Sequence, residues 1–367
     1  MATNDPLILQ SVIKRICTGP ELSKDISFND AHDAMCCIID GHAHDVQAAL
    51  FLIGLRVKRE TDEEFKGVQQ ALIDTSQIVT AKVDQVVVLS DPYNGFNRHL
   101  PASPFLPAVL ASLGISTVSE GVKTVAPKFG ITHHSVLQAA GKNVDCSPQQ
   151  AAHQLADPSI GWCYIDQSHY NPGLNALIPL RTLMVKRPVI ATSERIIGPI
   201  RGQLKTHLIT SYVHKAYPRI YSMLADFSGF ASTLLIKGVE GGIVPSLRDQ
   251  NKMISYIGSL DGITIDLHPE HCDINCDQRA QPIPDHLKVQ GNDISTDAHA
   301  IKAAAQMSAQ LGIAALQGAR GYTRDSIIYS GAAILKHLDI QLSLSSAADK
   351  IRDVLDNGSA IAHFDAA

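Results

Sequence analysis

The sequence predicts an α/β protein with an all-helical N-terminal domain and a mostly parallel central sheet covered by helices. Apolar residues recur at helical spacing through residues 1–78, and beyond them short β-branched runs alternate with helical patterns. A chain of 367 residues, 45% of them hydrophobic, can bury a large core, and the pattern change divides it into a helical domain, 1–78, and an α/β domain, 79–367.

Each element has a local reason. PLILQSVIKRIC, NDAHDAMCCIID and VQAALFLIGLRVK carry apolar stripes, and TDEEFKGVQQALIDTS opens on Thr61 and Glu64, a capping box. Strands follow in QVVVLS, ISTVS, THLITSYV, STLLIKG and GITIDLH, where β-branched side chains suit a pleated, buried surface. Between and after them PFLPAVLASLG, HSVLQAAG, AHAIKAAAQMSAQLG and RDSIIYSGAAILKHL read as helices. Ser147 and Pro148 supply an N-cap and a first-turn proline for QQAAHQLA.

No apolar run reaches the roughly 18 residues of a membrane span. The start, MATNDPLILQSVIKR, lacks a signal-peptide pattern, so the expectation is a cytoplasmic protein without membrane contact. Cys17, Cys36, Cys37, Cys146, Cys163, Cys272 and Cys276 are odd in number and scattered, which predicts reduced thiols. The formal net charge is −5, yet Tyr93 to Ile220 holds twelve Lys and Arg against five acids. A basic middle third on an otherwise acidic chain predicts an anionic ligand or partner.

SDPYNGFNRHLPAS, residues 90–103, directly follows QVVVLS. A strand that empties into a loop before a helix is a usual place to hold a phosphate, because free backbone N–H groups meet the positive end of the helix dipole there. Asp91 and Tyr93 oppose that use by placing a carboxylate and a ring where a phosphate would approach a permissive, glycine-rich backbone.

DAMCCIIDGHAHDVQAALFLIGLRVKRETDEEFKGVQQAL resembles the N-terminal helices of the anthranilate phosphoribosyltransferase family, the glycosyltransferase family 3 fold shared with class II nucleoside phosphorylases. GARGYTRDSIIYSGAAILKHL resembles that family's late helix, and the resemblance spans essentially the whole chain. It implies a helical domain joined by helices around 168–185, an α/β domain, an active site in the cleft between them, and a homodimer built through the helical domains. It also implies transfer of a phosphoribosyl group with loss of diphosphate, in which Mg²⁺, cationic side chains and backbone amides hold the leaving group.

Carried over residue by residue, the resemblance leaves few functional positions intact. The glycine-rich diphosphate loop falls on Asp91 to Gly95, which keeps Asn94 and Gly95 as candidates for phosphate contact. Ser103 matches a Mg²⁺-ligating serine, but Pro101 stands where the family has asparagine. Gly121 and Lys123 survive from the next strand-end motif, while its phosphate-binding lysine is Ser119, followed by Glu120. Lys128 remains in the turn beyond, and Arg181 matches the arginine that receives the aromatic acid. The acidic pair for the second Mg²⁺ falls on Ile243 and Val244, which cannot ligate a hard cation. The expectation is therefore no metal or other cofactor, no assigned catalytic residue, and no anthranilate reaction.

Two classes of function follow. In a divergent pentosyl- or phosphoribosyltransferase, Asn94, Gly95, Ser103, Gly121, Lys123, Lys128 and Arg181 converge on a pocket for a phosphorylated small molecule. In a non-catalytic binder of single-stranded DNA or RNA, Lys186, Arg187, Arg195, Arg201 and Lys205 line an open groove. From Arg181 to Arg219 there are eight Lys and Arg and one acid, Glu194. Tyr212, Tyr217 and Tyr221 lie close by and either stack on bases or pack in the core, the core being the expected place. His268, His271, Cys272 and Cys276 have metal-ligating side chains without the spacing of a zinc finger or ribbon, so a solvated loop is expected there.

Overall fold

The computed structural model describes residues 6–19, 21–287, 297–339 and 342–367. Four helices come first: α1 (Pro6–Ile16), α2 (Phe28–Ile39), α3 (Asp45–Lys58) and α4 (Asp62–Asp74). Capping boxes start two of them, Ser27 with Asp30 for α2 and Thr61 with Glu64 for α4. Gly67 lets these two helices pack closely, because a Cβ there would strike the Phe28 carbonyl and Ala31.

Among the described residues nine strands follow: β1 (Val79–Thr80), β2 (Gln85–Ser90), β3 (Thr117–Gly121), β4 (Trp162–Asp166), β5 (Ile200–Arg201), β6 (Lys205–Ser211), β7 (Ser232–Ile236), β8 (Asn251–Ile257) and β9 (Ile263–Leu267). Seven of them form the main sheet in the order β4-β3-β2-β6-β7-β8-β9, and β1 pairs with β5 in a small parallel ladder. β4 to β7 across the sheet are parallel, and β8 and β9 add an antiparallel edge. Sequence patterning missed the two-residue β1 and β5, and also β4 and β8. WCYID lacks a β-branched run, and NKMISYI mixes polar and apolar residues because it lies near the edge, with only part of its surface covered.

The two faces of the sheet feed two cores through strict alternation. Val87, Leu89, Ile209 and Leu234 join the core under the C-terminal helices, among them Ala298–Leu316 and Tyr322–Leu338. Val86, Val88, Leu208 and Leu235 join the opposite core, which continues into α1 to α4. The helical layer and the sheet therefore share one apolar interior, and helix Ile178–Met184 packs on α3. Among the described residues no helix is long and apolar enough to cross a membrane.

Candidate functional site

From β2 the crossovers lead to β3 and β4 on one side and return to β6 and β7 on the other. The carboxyl ends of β2 and β6 thus flank the switch point where open α/β sheets bind ligands. The loop 91–99 begins there, and carboxylates of the chain itself take the Asn97 and Arg98 amides and His99 within it.

Asp91 is the first carboxylate, buried at the end of β2. One oxygen accepts the Ile243 N–H at 2.7 Å; the other accepts the Ser103 hydroxyl and lies 3.0 Å from His133 Nε2. His133 Nδ1 is 2.6 Å from Ser119 Oγ, so Ser103 and Ser119 both belong to this internal network. Burial alone would raise the Asp91 carboxyl, but the bonds from His133, Ser103 and Ile243 overcome it and hold the group below the usual range.

Glu240 is the second. It accepts the backbone N–H of Asn97 at 3.0 Å and of Arg98 at 2.8 Å, with His99 Nδ1 at 3.0 Å and Lys128 Nζ at 3.8 Å. Burial pushes its carboxyl up, but His99, the Asn97 amide and Lys128 bring the net value below normal. Gly95, at φ +74°, tucks its backbone against Gly130, where a Cβ would collide. Asn94, its amide oxygen facing the guanidinium, accepts from Arg187 Nη2 at 2.9 Å and Nε at 3.1 Å. Three non-glycine residues adopt left-handed backbone next to these contacts: Phe129 (φ 50°), Val185 (φ 63°) and Glu240 (φ 53°). Such conformations cost about 1–3 kcal/mol each and persist where surrounding structure over-determines them.

Glu194 is the third. It meets Arg181 in a bidentate pair, both bonds 2.7 Å, with each side chain 2% exposed. Gln167 Nε2 donates to the same carboxylate at 3.2 Å, and the Glu194 carbonyl accepts from the Tyr93 hydroxyl at 3.2 Å. Tyr93, unwelcome in a phosphate loop, is a core residue here, 3.1 Å from the Tyr170 hydroxyl. Behind it Glu120 is buried with neither oxygen hydrogen-bonded among the described residues. Burial pushes its carboxyl up to about 7, although Ser90, Tyr93, Arg201 and Arg195 pull against it.

The pocket candidates therefore do not converge. Ser103 and Arg181 face internal partners, Gly121 closes β3 against Tyr164, and Lys123 is exposed, leaving Lys128 beside Glu240. The groove candidates also divide. Arg195 is buried and donates to the Ser90 carbonyl (2.8 Å), Thr210 (2.6 Å) and Ser211 (2.8 Å), bolting β2 to β6. Arg201 donates to the Ile197 carbonyl at 2.6 Å and lies over the Phe230 ring at 4.2 Å, and burial lowers its pKa to about 10. Lys186 and Arg187 are exposed beside loop 91–99, whereas Lys205 begins β6 at the other end of the sheet. Tyr212 and Tyr221 are buried, and Tyr217 accepts from Arg56 Nη1 at 2.7 Å.

Sequence reasoning missed Glu194, Glu240 and His133. A lone acid within a basic run and a glutamate between glycines in GVEGG were the available signals.

Residues 10–76 match the family model described as "Glycosyl transferase family, helical bundle domain". An anthranilate phosphoribosyltransferase from Sphingopyxis alaskensis is 23% identical over 93% of this chain and 95% of its own length. An uncharacterised protein from Aquifex aeolicus is 27% identical over 68% of this chain and 74% of its own. The anthranilate phosphoribosyltransferase of Thermus thermophilus superposes with a TM-score of 0.72 at 16% identity, covering 98% of this chain and 97% of that one. Residues 10–76 thus carry the helical bundle domain of this glycosyltransferase family. The yeast anthranilate phosphoribosyltransferase in complex with PRPP and Mg has the same fold, with a TM-score of 0.73 over 99% of this chain and 97% of its own, at 13% identity.

The magnesium that the family implies does not fit the residues present. Ile243 and Val244 are apolar and buried, and the Ser103 hydroxyl is spent on Asp91. Among the described residues no three His, Cys, Asp or Glu side chains are placed to hold a metal ion. In the HPEHCDINCD segment Cys272 is buried with its thiol 3.8 Å from the Leu344 carbonyl, Cys276 lies 3.6 Å from Asp325, and His268 contacts Gln250 and Glu270. These side chains turn to separate partners.

Proposed function

We propose that this protein does not carry out the anthranilate reaction and instead binds a phosphate-bearing polyanion, single-stranded nucleic acid, on the rim of its closed cleft. What supports the reading is one observation: Asp91, Glu240 and Glu194 occupy the Ile243 and Asn97 amides and Arg181, while Lys123, Lys186, Arg187 and Lys215 stay exposed. Lys186 and Arg187 adjoin loop 91–99 through Asn94. Lys215 follows Val213, which lies against Gly241 beside Glu240, and Lys123 stands at the end of β3. Exposed Leu183, Val185 and Val213 lie in the same rim segments, where they offer apolar contact to unstacked bases. Phosphate contacts of this kind give affinity with little sequence preference and a steep fall with salt.

The test is fluorescence anisotropy of a labelled thymidine 20-mer at several salt concentrations. Changing Lys123, Lys186 and Lys215 together to Ala should remove three phosphate contacts and flatten the plot of log affinity against log salt by about 2. An unchanged slope, or steady Mg²⁺-dependent formation of phosphoribosylanthranilate by the pure protein, refutes the proposal.

A further inference from the structure

One strand length from the switch point, about 20 Å along the seven residues of β6, the sheet carries a second cleft. It opens at the amino ends of β2, β6 and β7 beneath the carboxyl end of helix Tyr322–Leu338, and measures about 840 Å³. Small-molecule sites span about 300–1,000 Å³. Val87, Ile257 and Leu338 give it an apolar wall, and Lys82, Lys205 and Gln85 a polar mouth, with Asp84 the single acid. Neither lysine is ion-paired among the described residues, although both are exposed.

Behind the mouth a relay of hydrogen bonds crosses four strands and the helix. Gln85 Oε1 lies 3.0 Å from His207 Nε2, His207 Nδ1 2.7 Å from Ser232 Oγ, Ser232 Oγ 2.8 Å from His337 Nε2, and His337 Nδ1 2.7 Å from Ser255 Oγ. Burial depresses both imidazoles, so each is neutral at pH 7 with one N–H. The Gln85 oxygen only accepts, so His207 donates through Nε2 and accepts from Ser232 at Nδ1. Ser232 in turn accepts from His337 Nε2, and Ser255 donates to His337 Nδ1. Every link has one donor and one acceptor, and all point toward the cleft. Gln85 is thereby held with its oxygen inward, and its amide N–H groups have no partner among the described residues.

We propose that this cleft is a second ligand site, for a small organic anion with an apolar body, whose acid group sits between Lys82, Lys205 and the Gln85 amide and whose body lies on Val87, Ile257 and Leu338. Three donors face one acid at the mouth, and the half-exposed Ile257 side chain gains cover when such a body binds. The site is independent of the rim and of any reaction in the interdomain cleft.

The full chain is titrated with 1-anilino-8-naphthalenesulfonate, an apolar ring system bearing one acid, at low salt and with near-UV circular dichroism confirming native packing. Saturable enhancement at one site per chain is expected. Lys82→Glu with Lys205→Glu should weaken it at least tenfold, Ile257→Glu at least fivefold, and Lys186→Glu with Arg187→Glu less than twofold. Retained affinity in either cleft variant, loss in the rim variant, or many weak sites on the unmodified chain overturns the proposal.

Discussion

Replacing His337 with Gln should make the protein's stability markedly less sensitive to acid. His337 is 1% exposed, and burial drives its pKa from 6.5 to about 3. A ring kept neutral in the folded protein but free to protonate in the unfolded chain leaves stability unaffected above pH 6.5. Stability then falls as the pH drops below 6.5, until the folded ring itself protonates near 3. At pH 5 the unfolded ring lies about 1.5 pH units below its pKa, worth about 2 kcal/mol at roughly 1.36 kcal/mol per unit. His207, lowered by burial and by nearby Lys205, acts with the same sign in both proteins. Glutamine can accept from Ser255 and donate to Ser232 without titrating. Urea midpoints at pH 7 and pH 5 should show the unmodified protein losing about 2 kcal/mol more than His337→Gln. Equal losses in the two proteins refute the reasoning, because the ring would then be protonated or solvated in the native state.

Glu194→Ala should cost about 3–5 kcal/mol by leaving the Arg181 charge buried and unpaired, and adding Arg181→Met should recover part of it. A loss below about 1 kcal/mol by chemical denaturation would place the pair in solvent. Light scattering at micromolar concentration should give a dimer, since Leu7, Val46, Leu50 and Val57 are exposed on α1 and α3. Leu50→Glu with Val57→Glu should shift the mass toward the monomer, and a monomeric unmodified protein contradicts the expectation. Ile243→Asp with Val244→Glu should show no heat of Mg²⁺ binding by calorimetry, because Ser103 and the Ile243 amide remain held by Asp91. A saturable magnesium isotherm would mean that this network opens readily.

The fold was legible because its signals are local. The capping box at Thr61, the Ser147 cap with Pro148, helical apolar spacing and the VVV run of β2 each follow from nearest neighbours along the chain. β4 and β8 were hidden because their place depends on what covers them, which no short window contains. The site was half legible: the sequence places loop 91–95 directly after a strand, and it follows the carboxyl end of β2. That Tyr93 packs inward, that Glu194 reaches Arg181 thirteen residues away, and that Glu240 crosses more than 140 residues to Asn97 are tertiary facts. Charge counting also misread Arg195 and Arg201. A sequence count treats every cation as available, and their partners are backbone carbonyls, hydroxyls and a ring, which carry no countable charge.

The tether on Glu240 changes how any free anion competes for loop 91–99. An intramolecular group acts at an effective concentration of order millimolar or more, set by the segment that carries it. Here that segment is a short turn bounded by Gly238, Gly241 and Gly242, with Glu240 itself in left-handed backbone. A free phosphate must exceed that standing concentration before it gains any of the Asn97, Arg98 or His99 donors. On the proposed reading, a long polyanion would engage the rim first and then meet the loop as a neighbour, at a local concentration of its own. Under that proposal the arrangement would filter ligands by length and discriminate against small anions that share their chemistry.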